Sequence, residues 1–107
     1  MNENKAIIEG LIFAAESPLT IERIIEILQE REINRQEVAV HLRELMAAHE
    51  ERRGGFLLRE IAGGYQFRTR PDLAVWIAKM KAGRPAALTA AALETLAVVA
   101  YRQPVVK

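Results

Sequence analysis

The hydrophobic period of this chain changes at Gly54-Gly55. Before that pair, apolar residues recur at helical spacing. After it, Phe56 to Ile61 and Tyr65 to Thr69 form two short runs joined by Ala62-Gly63-Gly64, and Tyr65, Phe67 and Thr69 alternate against Gln66, Arg68 and Arg70. The switch from a helical period to a period of two predicts a β-hairpin directly behind a helical segment. The chain is therefore confined to the α+β class, mostly α.

The helical part resolves into three pieces. Ile7, Ile8, Leu11, Ile12 and Ala15 fall in one broad stripe that ends at Ser17-Pro18. Phe13 falls outside that stripe, close to Glu9 on the helical wheel, and needs a second surface; it is an interface candidate. Thr20 caps a second helix with core residues Ile21, Ile24, Ile25 and Leu28. Asn34, with Glu37 three residues later, opens a third, in which Val38, Leu42, Leu45 and Met46 repeat. A short turn between the second and third helices is the sign of a helix-turn-helix pair. Three helices and then a hairpin give the order of a winged helix, with the hairpin as wing. Arg70-Pro71 opens a further helix whose Leu73, Trp76, Ile77 and Met80 are spaced to return to the core.

Gly83 and Pro85 mark a linker, and Thr89 caps a last helix. The expected organisation is a winged-helix domain over 1–82, a linker over 83–88 and a helix over 89–107. That last helix is apolar nearly all round: Leu93, Leu96, Ala97 and Ala100 form one stripe, while Val98 and Val99 project from other faces. Either the first domain and a partner chain cover it, or it opens a second domain. Val98, Val99 and Tyr101 join Phe13 as candidate protein-interface residues.

The 107 residues suit one domain and a fragment of a second, and half of them are apolar. With no cysteine, disulfide staples and thiolate metal sites are excluded. The opening residues lack the basic start of a signal peptide, and no apolar run approaches the roughly 18 residues of a membrane span. The expectation is a cytoplasmic protein without a membrane partner. The net charge of +1 hides an asymmetry, with ten acids and five bases in residues 1–50 against four acids and ten bases in 51–107.

The candidate sites are few. His41 and His49 lack a carboxylate or cysteine at ligand spacing and read as solvated helix histidines rather than metal ligands. Arg59, Arg68 and Arg70, with Arg52 and Arg53 before them, offer a weak phosphate contact on the wing or simply its solvent face. Between Asn34 and Glu50 the third helix carries two arginines against three glutamates, which is poorly suited to the major groove. Gly63-Gly64 joins two strands and reads as a turn, not a phosphate loop. Tyr65, Phe67 and Trp76 sit at core spacing, although they would also stack on bases. No catalytic constellation assembles and no cofactor is called for, so an enzyme is not expected.

The stretches IIEGLIFAAESPLT (7–20), AGGYQFRTRPDLAVWI (62–77) and LTAAALETLAVVAYRQPVVK (88–107), in that order and spacing, resemble the bacterial segregation and condensation protein B (ScpB) family over nearly the whole chain. The resemblance implies two winged-helix domains in tandem, of which 89–107 would be the first helix of the second. It also implies a non-enzymatic, nucleoid-associated subunit of the SMC condensin complex. That subunit would be a homodimer that binds the kleisin ScpA and, through it, the SMC ATPase, in chromosome condensation and segregation. The competing class is a dimeric winged-helix transcription regulator, since one fold serves both uses. A third reading is weak non-specific DNA contact by the wing within a condensin subunit.

Overall fold

A computed structural model describes residues 2–83. Helix α1 spans Glu3–Ala14, α2 Ile21–Ile27 and α3 Arg35–Arg52; strands β1, Phe56–Ile61, and β2, Gly64–Thr69, follow, and α4 spans Ala74–Ala82. The chain divides into two compact units, Met1–Thr69 and Arg70–Lys107.

Each helix of the first unit starts where a side chain satisfies a backbone N–H that has no partner within the helix. Asn2 accepts from the Lys5 amide and Thr20 from the Arg23 amide. At α3 the capping box is complete: the Glu37 amide donates to Asn34 Oδ1 at 2.8 Å and the Asn34 amide donates to Glu37 Oε1 at 3.1 Å. The α2–α3 connection is a 3₁₀ turn, Gln29–Arg31, closed by Glu32 in the left-handed region at φ 54°. Ile8, Ile12, Ile24, Val38, Leu42 and Leu45 are fully enclosed where α1, α2 and α3 meet, and Leu58 adds the hairpin to that core.

The hairpin is antiparallel, with Leu58 opposite Phe67 and Ile61 opposite Gly64. Tyr65 and Phe67 pack against the helical core, as their alternation predicts. The turn itself lies at Ala62-Gly63, one residue before the Gly63-Gly64 pair, because Ala62 and Gly63 both have positive φ, 51° and 82°, the signature of a type I′ turn. Gly64 belongs to the strand for a different reason. A Cβ there would lie 2.9 Å from the Pro18 carbonyl carbon, where Leu19 joins the sheet by exchanging hydrogen bonds of 2.8 and 2.9 Å with Tyr65. Three helices closed by a two-stranded wing make this unit a winged helix.

The second unit corrects one expectation. Pro71–Leu73 forms a 3₁₀ turn and α4 follows, but none of the residues of α4 is buried: Trp76 is 62% and Met80 68% exposed. Every buried member of the core cluster lies between Ile8 and Leu58. The spacing of Leu73, Trp76, Ile77 and Met80 shows that a helix has an apolar face, not what covers that face. Trp76 instead holds Lys79 Nζ 4.9 Å from its ring centroid. The expected linker beyond Gly83 and the expected helix over 89–107 lie outside the described residues.

Candidate protein interface

Phe13 is the single large apolar side chain of the first unit that stands 75% exposed among its described residues. Beside it runs a shallow groove of about 380 Å³, lined by Ala6, Glu9, Gly10 and Phe13 of α1, His49 and Arg52 of α3, and Phe56 and Phe67 of the hairpin.

The groove floor is built on His49, and here the histidine expectation is overturned. His49 is buried, 9% exposed, and its Nε2 lies 2.9 Å from Glu9 Oε2. The carboxylate missing from its own helix is supplied by α1, a pairing that spacing within one helix could not reveal. Phe67 meets the ring edge-on at 5.0 Å and Phe56 lies tilted to it at 41° with centroids 5.5 Å apart, while the two phenylalanines stand 5.6 Å apart edge to face. The guanidinium of Arg52 lies 5.0 Å from the Phe56 ring and walls one end. His49 Nδ1 is enclosed without a hydrogen-bond partner, so the ring is held through Nε2 and by its aromatic neighbours.

His41 is also largely enclosed rather than solvated, its Nδ1 3.6 Å from Glu44 Oε1. The ammonium of Lys5, 2.9 Å from Glu44, holds that carboxyl below its ordinary range, chiefly through the hydrogen bond. No group of three or more potential metal ligands occurs among the described residues.

The wing arginines divide. Arg59 stands opposite Gln66 and Arg68 opposite Leu57, so both point to the hairpin face away from Leu58 and Phe67, and both are exposed. Arg68 donates to Gln66 Oε1 at 2.9 Å. Arg70 instead grips Asp72 through two hydrogen bonds of 3.0 and 3.1 Å, which hold the Asp72 carboxyl below its ordinary range. Much of the Arg70 charge is thereby answered locally. Val98, Val99 and Tyr101 lie outside the described residues.

Known proteins give this arrangement its context. Residues 6–107 match the family described as segregation and condensation complex subunit ScpB. The chain belongs to the ScpB family. It is 43% identical over 105 residues to a segregation and condensation protein B of Syntrophotalea carbinolica, covering 98% of this chain and 52% of that protein. It is 39% identical over 106 residues to the one from Symbiobacterium thermophilum, covering 99% and 47%. The chain thus spans about half the length of these ScpB relatives. Among solved structures, ScpB from Mycobacterium tuberculosis superposes with a TM-score of 0.65 at 34% identity, over 94% of this chain and 62% of that one. A dimer of an ScpB N-terminal domain complexed with an ScpA peptide gives a TM-score of 0.63 at 28% identity, over 71% of this chain and 91% of that one.

Proposed function

We propose that this chain is the N-terminal part of a non-enzymatic subunit of a bacterial SMC condensin complex. In this reading it dimerises and binds the kleisin ScpA, which links it to the SMC ATPase at the nucleoid during chromosome condensation and segregation. The observation that carries the proposal is the match of 6–107 to the ScpB family, joined to the likeness to a solved ScpB N-terminal dimer with its ScpA peptide. The exposed Phe13 beside an aromatic-floored groove supports a protein-binding role for the first unit. Residues 89–107 would then be the first helix of a second winged-helix domain, with Val98, Val99 and Tyr101 at its contacts. Light scattering on the chain alone and mixed with ScpA tests this. Self-association and co-elution are expected; a chain that ignores ScpA while binding a duplex DNA sequence specifically would turn the assignment to a transcription regulator.

A second reading concerns the wing. Arg59 and Arg68 share one exposed face of the hairpin, which suits weak, sequence-independent contact with DNA phosphates in the same complex. Replacing both by glutamine should flatten the salt dependence of DNA binding, and an unchanged slope removes the wing from consideration.

A further inference from the structure

Helix α4 carries an apolar strip that the described residues leave open. Val75, Trp76 and Met80 are 56%, 62% and 68% exposed. Four-residue spacing sets Met80 one turn beyond Trp76, with Val75 alongside, so the three make one continuous surface. The strip belongs to the compact unit Arg70–Lys107, whose described part ends at Gly83. The rest of that unit begins directly behind α4, where the linker expected over 83–88 leads to the helix expected from the Thr89 cap. Read as a helix, that sequence has a front and a back. Leu93, Leu96, Ala97 and Ala100 make the front, the stripe that a core of its own would take. The back holds Ala91, Thr95 and Val98, with Ala92 and Val99 beside them, all of them small and uncharged. A core on the front leaves this back uncovered.

We infer that the α4 strip is the seat of this chain's own residues 91–99, the back of the following helix laid antiparallel on α4. The inference rests on the reading of 89–107 as the first helix of a second domain, and adds the surface that ties that helix to α4. Reach, size and charge all select this segment. A connection over 83–88 has the length that joins neighbouring antiparallel helices. Met80 stands about 3 Å along the axis from the end of α4 at Ala82, and Trp76 about 9 Å. The same steps taken from Thr89 reach Ala91 and Thr95, so each large side chain of α4 meets a small residue of the back. The charged side chains of α4 are Lys79 and Lys81, and Glu94 is the sole acid in residues 84–107. Antiparallel packing brings Glu94 to within about 3 Å of the level of Lys79, opposite charges at the rim of the contact.

Trp76 is the sole tryptophan, so fluorescence of the whole chain reads this strip alone. Its emission is expected to be blue-shifted and its quenching by acrylamide slow, and the double variant Thr95→Lys, Val98→Lys should lose both. The chain has no cysteine, so Met80→Cys and Ala91→Cys placed together should close a disulfide within one chain, which needs Cα atoms within about 7 Å. A Trp76 quenched as fast in the native chain as in the lysine variant overturns the seat. Protection that disappears on dilution, with disulfides formed only between chains, gives the strip to a second copy and overturns it equally. Circular dichroism separates these failures from that of the reading beneath. Ala97→Pro, which costs a helix about 3 kcal/mol, should lower the helical signal of the chain. A signal indifferent to it removes the helix and the seat together, whereas a lowered signal beside a freely quenched Trp76 keeps the helix and removes the seat alone.

Discussion

His49 is a polar ring in an aromatic setting, and its one hydrogen bond to Glu9 is what makes its burial tolerable. Glu9→Leu removes the acceptor and leaves a buried ring N–H unanswered, so thermal unfolding should show a loss of about 1–3 kcal/mol. Glu9→Gln, which keeps an acceptor oxygen, should lose much less. Lys5 and Glu44 form the second tie between α1 and α3. The Glu44 pKa is lowered in the folded protein, so the stability it contributes is present above the ordinary carboxylate range and is lost as pH falls through the folded value. Melting temperatures of the native chain and Glu44→Gln should therefore differ at neutral pH and converge in acid. A difference that persists below the carboxylate range would show that Glu44 acts by packing alone.

The elements themselves were largely written in the sequence, because each is set by local rules. Asn34 and Glu37 announced α3 and Thr20 announced α2, and Tyr65 and Phe67 announced which face of the wing turns inward. What stayed hidden depended on partners far along the chain. Nothing near His49 pointed to Glu9, nothing near Gly64 pointed to Pro18, and the stripe on α4 did not say that Trp76 would be exposed. Phe13 was legible as a misfit, but the groove beside it was not, since its walls come from α1, α3 and the hairpin. The turn offers a test at this scale. Ala62 occupies a left-handed conformation that asparagine tolerates better, and Asn-Gly is the favoured type I′ pair. Ala62→Asn should raise stability by up to about 1 kcal/mol, read as a higher melting temperature with unchanged self-association.

At the scale of the whole molecule, the core of the first unit is small, and its fully enclosed members are six aliphatic side chains. Leu42→Ala at its centre should cost about 2–5 kcal/mol. In a unit of this size each kcal/mol lowers the melting temperature by roughly 4–8 °C, so the variant should lie at the edge of folding at ordinary temperature. Calorimetry showing a shift of only a few degrees would mean that the helices close around the lost volume. The charge asymmetry of the sequence also finds a place: the basic excess after residue 50 puts Arg59 and Arg68 on the outward side of the wing, while Arg35 of α3 is paired with Glu22.

The paired hydrogen bonds between Leu19 and Tyr65 join the segment ahead of α2 to the last strand of the wing. Lifting the hairpin from this segment would break both hydrogen bonds together. In deuterated water these two protons should be among the last to exchange, and at the same rate as each other. They would report the opening of the entire first unit rather than fraying of any one piece.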